Sequence, residues 1–221
     1  MQFRMQTLTE KIWHLHPPAG LFDKQVIDAL FSDASPGAKQ ALLNKALRSK
    51  EIIRIAPGAY CLAREFRDRD PHPFSIAALI HGPSYVTMET ALAFHRMIPE
   101  GVHQVVSGTS ARSKESSNEF GRFAFRRILC TPFLTGVQNI KVEEGAWAYI
   151  AGPARAIADL IYIRREVSAT KDGIRFLTES MRIDSDDLLR IDTDELSRVR
   201  RAFGNLRVRK YLDLLQREAH R

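Results

Sequence analysis

Between Pro36 and Ser49 the chain carries Lys39, Gln40, Asn44, Lys45 and Arg48, spaced so that a helix turns them outward. These are side chains suited to a DNA duplex. Asn and Gln form paired hydrogen bonds with an adenine edge, Arg does so with guanine, and Lys reaches phosphate. Ser35 stands where a helix cap belongs, and Arg54, Pro57 and Gly58 follow in a turn. That turn can lie along a sugar–phosphate backbone, with Gly58 allowing close approach. The plain alternative is a solvated cationic helix face.

Residues for covalent chemistry are not arranged to act. The sequence has no G-x-S-x-G, no P-loop and no H-E-x-x-H. A nuclease-like centre needs an acidic residue and then a spaced Glu-x-Lys. Here Lys141 precedes Glu143 and Glu144, and no lysine follows them at that spacing. The histidines at 14, 16, 72, 81, 95, 103 and 220 show no ligand spacing. Cys61 and Cys130 are far apart and read as small buried hydrophobes, not as a disulfide or zinc site. No enzyme activity, metal or cofactor is expected.

The elements that position the first group follow from apolar spacing. Met5, Leu8, Ile12 and Leu15 predict a helix within Met1–His16, stopped by Pro17, Pro18 and Gly20. A second helix starts after Phe22 with Asp23 as cap and buries Val26, Ile27, Leu30 and Phe31. Ser32–Ser35 is a turn. The third helix opens on Pro36, where a missing N–H costs nothing, and turns Ala41, Leu42, Ala46 and Leu47 inward. Two β-prone runs, Ile52–Ala56 and Ala59–Leu62, flank Pro57-Gly58 and predict a hairpin. Three helices and then a hairpin is the order of a winged helix-turn-helix. Arg64–Pro73 reads as a linker. The expected fold is α+β: a winged helix-turn-helix over residues 1–70, then a mixed α/β domain over 71–221 that ends in helices.

In the second domain, helices are expected at Phe74–His81 and Thr87–His95, the latter capped by Thr87. Strands are expected at Tyr85–Val86, Val102–Ser107, Phe120–Ile128, Val137–Val142 and Trp147–Ala151, with a mobile loop at Thr109–Asn118. A strong helix follows Gly152-Pro153 as far as Arg165. Further helices cover Gly173–Met181, Ser185–Ile191, Thr193–Phe203 and Leu206–Glu218. Asp159, with Arg155 one turn before it and Tyr162 one turn after, reads as a structural clamp. Arg122, Arg126 and Arg127 interleave with Phe120, Phe123 and Phe125. That pattern suits single-stranded nucleic acid, with Arg112 and Lys114 extending it, or equally an amphipathic strand with one wet face. Arg198, Arg200, Arg201, Arg207, Arg209 and Lys210 form the densest positive run. They read as a solvated helix face, a partner surface or extra DNA-backbone contact.

The balance of the 221 residues allows this reading. Net charge is +7, with 44% hydrophobic and 27% charged residues, the balance of a globular protein; the basic excess favours polyanion partners, although many basic proteins bind none. Over residues 1–69 the excess is modest, eleven Lys/Arg against seven Asp/Glu. Specific binding therefore calls for two or more copies on repeated half-sites. No apolar run approaches the roughly 18 residues of a membrane span, and residues 1–16 lack a signal-peptide centre. A cytoplasmic location and no membrane contact are expected.

Three segments carry a family resemblance. They are Ile52-Ile53-Arg54-Ile55-Ala56-Pro57-Gly58-Ala59-Tyr60, Pro83-Ser84-Tyr85-Val86-Thr87-Met88-Glu89-Thr90-Ala91-Leu92, and the stretch from Ile150 to Tyr162 around Gly152-Pro153 and Asp159-Leu160. In this order they resemble the AbiEi-type antitoxins, the regulator half of abortive-infection toxin–antitoxin operons. Two positions depart from the family pattern: Glu51 stands where a glycine is usual, and Ala154 where a glutamate is. The resemblance implies an autorepressor that binds inverted repeats in its own promoter through the N-terminal domain. It also implies a C-terminal domain that neutralises a nucleotidyltransferase-like toxin without a stable complex. A protein-interaction module, or a stand-alone regulator without antitoxin activity, is the alternative.

Overall fold

Side-chain caps mark where two of the N-terminal helices begin. The computed structural model describes residues 5–99, 101 and 103–218. The chain divides into two compact units. The first comprises Met1–Ile80, Ser116–Phe120 and Lys141–Trp147. The second comprises His81–Glu115, Gly121–Ile140 and Ala148–Arg221.

The first unit runs α1 (Thr7–His14), β1 (Leu21–Asp23), α2 (Lys24–Leu30), α3 (Pro36–Arg48), β2 (Ile52–Ala56), β3 (Ala59–Leu62) and α4 (Pro73–Ile80). The Asp23 carboxylate accepts the Val26 N–H at 3.1 Å, and the Ser35 hydroxyl accepts that of Ala38 at 3.2 Å. Each satisfies one of the N–H groups a helix start leaves open. Helix α1 is shorter than its apolar spacing suggests. Positive φ at His16 and the prolines after it end the helix, while Met1–Arg4 lie outside the described residues.

The strands pair in the order β1-β3-β2, all antiparallel, with Leu21 opposite Cys61 and Ile52 opposite Leu62. Strand β1 was not expected. It holds three residues, too few for an alternation to show. Leu8, Ile12, Phe22, Ile27, Leu43, Ala46, Ile52, Tyr60 and Leu62 form one core. The buried stripe of α3 is Leu43 and Ala46, which face α1. Leu42 and Leu47 are only half-buried and Ala41 is exposed, so the inward face is rotated from the expected one. The stretch after β3 is more ordered than a linker. Arg64–Phe66 makes a 3-10 turn, and Arg67 donates to the Leu62 carbonyl at 2.8 Å and to Asp70 at 2.7 Å.

A six-stranded sheet has the order β6-β7-β5-β4-β9-β8. Its strands are β4 (Ser84–Val86), β5 (Val105–Thr109), β6 (Lys114–Asn118), β7 (Gly121–Arg127), β8 (Val137–Glu143) and β9 (Ala146–Ala151). β4 is antiparallel to β5 and parallel to β9, and β5 is parallel to β7. The helices are α5 (Met88–Phe94), α6 (Pro153–Ile163), α7 (Lys171–Arg175), α8 (Ser185–Leu189), α9 (Thr193–Ala202) and α10 (Leu206–Glu218). A π-type turn, Phe176–Ser180, follows α7. The fold is thus mixed α+β with helices at the C-terminus.

Three expectations need correction. The expected loop 109–118 contains β6, a polar edge strand held by its neighbour β7. In β7, Phe123, Ala124 and Phe125 are all fully buried, so both faces are covered there and the strand is not half-wet. The strand expected from Val102 begins at Val105, and Val102 lies outside the described residues. Among the described residues no helix is long and apolar enough to cross a membrane.

Candidate nucleic-acid interface

Helix α3 presents its outward face along Gly37, Ala38, Ala41, Lys45 and Arg48, all exposed, with Gln40 beside them. The N-terminal half of this face is small and uncharged. The cations stand in the C-terminal half. Lys45 and Arg48 have no side-chain ion pair or hydrogen bond among the described residues, and exposed Arg54 on β2 is equally free. Gln40 donates to Asn44 at 2.9 Å. The pair leaves one amide hydrogen on Gln40, both on Asn44 and the Gln40 carbonyl available for a base edge.

Lys39 behaves differently from the sequence expectation. Its ammonium reaches the Asp28 carboxylate at 3.2 Å and the Asp28 carbonyl at 3.3 Å, and its side chain is only 17% exposed. Lys39 therefore ties α3 to α2. Ser35 is likewise engaged as the α3 cap. The turn residue Gly58 has φ +82° and open space where a side chain would project. Its carbonyl accepts the Lys24 N–H at 2.9 Å. Lys39, Gln40 and Gly58 share the rim of a small 120 Å³ dent with Lys24. Exposed Lys24 was missed in the sequence. The signal available was its place directly after the Asp23 cap, where α2 begins.

The eight cations expected on a partner surface meet different surroundings. Arg126 pairs with Glu115 at 2.8 Å. Arg198 donates to the Asp194 carbonyl at 3.3 Å. Arg207 donates to the carbonyls of Ile161 (2.6 Å), Val167 (3.0 Å), Arg164 (3.1 Å) and Tyr162 (3.3 Å), closing the open C-terminal end of α6. Arg122, Arg127, Arg201 and Lys210 are exposed, and Arg209 is half-buried.

The clamp around Asp159 is a sealed network. Arg155 and Asp159 are fully buried and pair at 2.9 Å one helical turn apart. Thr87 and Tyr85 donate to the other carboxylate oxygen at 2.7 and 2.8 Å. Arg155 also donates to the carbonyls of Phe133 and Thr135 and to the Tyr85 hydroxyl. The tyrosine of the clamp is thus Tyr85, not Tyr162. Thr87 sits at the α5 cap position, but its hydroxyl serves Asp159 instead. Burial pushes both charged groups towards neutrality. For Arg155 the Asp159 carboxylate outweighs it and holds the guanidinium above its ordinary value. For Asp159 burial prevails and raises the carboxyl, against the pull of Arg155, Thr87 and Tyr85. The Tyr85 hydroxyl is raised by burial and by Asp159. With every strong donor engaged internally, the network suits holding elements together.

Cys61 and Cys130 are free, buried thiols whose pKa burial raises, so neither is poised as a nucleophile. Among the described residues no group of His, Cys, Asp and Glu could hold a metal ion. Compared with known proteins, the chain matches no family model and no curated protein.

Proposed function

We propose that this chain is a DNA-binding transcriptional autorepressor, acting through a winged helix-turn-helix in its first unit, and the antitoxin of an abortive-infection operon. The observation that carries the DNA-binding part is the α3 face, where Lys45 and Arg48 stand unpaired beyond a small-residue surface flanked by Gln40 and Asn44. The order α1-β1-α2-α3-β2-β3 supports the winged reading. Helix α3 is then the recognition helix and the Pro57-Gly58 turn the wing. Gly37, Ala38 and Ala41 leave room for close approach to the major groove, Gln40 and Asn44 meet base edges, and Lys24, Lys45, Arg48 and Arg54 meet phosphate. Four phosphate contacts per copy give a log–log salt slope of roughly −3.6. Two or more copies on repeats in the chain's own promoter supply the remaining affinity.

The antitoxin part rests on the three segments that resemble AbiEi-type antitoxins. Its partner is a nucleotidyltransferase-like toxin, neutralised without a stable complex, in the cytoplasm. No catalytic step belongs to this reading.

The test is a gel shift on the chain's own upstream DNA against scrambled competitor. Lys45→Glu with Arg48→Glu is expected to abolish the specific, salt-sensitive shift at unchanged thermal stability. A folded double variant that still binds the operator overturns the assignment. Toxin neutralisation is scored separately, by growth when the neighbouring toxin gene is co-expressed with the chain.

A further inference from the structure

The second unit holds a cleft of about 630 Å³ that no part of the DNA-binding reading uses. One wall is the segment that leaves β7, from Ile128 to Phe133. The other is the junction of α9 and α10, from Arg201 to Arg209. The walls are tied by a backbone bridge between Cys130 and Phe203 and by the Thr131 N–H donating to the Ala202 carbonyl at 2.9 Å. The cleft is therefore formed in advance, and its volume lies within the roughly 300–1,000 Å³ of small-molecule sites.

Its lining is of two kinds. Arg201 and Arg209 bring positive charge, and Ser110 and Thr131 bring hydroxyls, while Leu129 and Phe133 are apolar. Among the described residues no carboxylate lines it. The guanidiniums differ from their neighbours in having nothing to bind. Arg200 on the same helix pairs with Asp213, Arg207 closes α6 and Arg155 is saturated. Exposed Arg201 and half-buried Arg209 have no side-chain partner among the described residues. Unpaired guanidiniums on a preformed rim favour an anion that comes from outside. Leu129 is 56% exposed, an apolar surface that an anion alone would leave wet.

We infer that this cleft binds a phosphate ester carrying an apolar or aromatic body, with a nucleoside monophosphate as the type ligand. The phosphate takes Arg201 and Arg209, with Ser110 and Thr131 donating to its oxygens. The flat body covers Leu129 and Phe133. The site is independent of α3 and stands or falls apart from the operator reading.

Isothermal titration of the full chain with AMP, adenosine and inorganic phosphate tests it. AMP is expected to bind one to one, about tenfold or more tighter than either fragment, because it alone engages both linings. Arg201→Ala and Leu129→Glu, both at exposed positions, are each expected to weaken AMP about tenfold at unchanged melting temperature. Lys45→Glu with Arg48→Glu is expected to leave AMP binding as it was. Absence of AMP binding at millimolar concentration overturns the inference. So does phosphate binding as tightly as AMP, AMP binding that both cleft variants retain, or AMP binding that the α3 variant removes.

Discussion

Arg155 of α6 and Arg48 of α3 are both helical arginines, but they have opposite surroundings. Arg155 is fully buried and bonded to Asp159, Tyr85 and two loop carbonyls. Arg48 is exposed and bonded to nothing among the described residues. A guanidinium stripped of water must have its donors satisfied inside the protein, and it then fixes whatever it touches. One left in water keeps its donors for a polyanion. The two regions differ in what the donors already meet.

The sharpest break of this contrast is Arg155→Ala. It strands the Asp159 carboxylate in the core, and loss of one partner of a buried pair costs about 3–5 kcal/mol. Urea unfolding would read that loss. A cost under about 1 kcal/mol would mean that water reaches Asp159, and the claim of a sealed network would fail. Arg207→Ala comes next. It uncovers the carbonyls at the end of α6, and charge-assisted bonds of this kind are worth about 1.5–3 kcal/mol. If the melting temperature does not move, Arg207 belongs with the free surface cations, as the sequence alone suggested.

Glu195 sharpens the comparison through pH. Burial and the Asp192 carboxylate push its carboxyl up from 4.5 to about 6, against the pull of Arg198 and the Arg155 N–H. Because the folded value lies above the unfolded one, the folded chain holds this proton more tightly. Its contribution is full below pH 4.5 and declines as pH rises through 6. After allowance for solvent screening the decline is about 1 kcal/mol. Glu195→Gln should flatten that part of the stability–pH curve. An unchanged slope between pH 4.5 and 6 would assign the effect elsewhere.

How much of this was legible depended on sequence distance. The caps Asp23 and Ser35 and the turn at Pro57-Gly58 are local chemistry, and each lies where its residue type implies. The Arg155–Asp159 pair was visible as a one-turn spacing. Tyr85, seventy residues away from Arg155, was not. Lys-Glu-Ser-Ser-Asn in β6 has no apolar alternation, so only pairing with β7 makes it a strand. The C-terminal arginines were visible as charge. Whether each faces water, a carboxylate or a helix end is decided by elements distant in the chain.

The smallest expected effects lie on α3 itself and test the contrast within one helix. Lys45→Ala and Arg48→Ala remove only solvated charge, so each should stay within about 0.5 kcal/mol of the parent stability. Lys39→Ala breaks a partly exposed ion pair with Asp28 and should cost about 0.5–1 kcal/mol. In operator binding the order should reverse. Lys39 is engaged by α2, so its loss should weaken binding less than the loss of Lys45. Asp28→Ala separates the two possibilities further. It releases the Lys39 ammonium and removes a negative charge beside the face. Affinity should then rise, and the salt slope should steepen by about one phosphate contact. If Asp28→Ala weakens operator binding at unchanged stability, the Asp28–Lys39 pair is itself part of the recognition surface, and the division between tied and free cations on α3 does not hold.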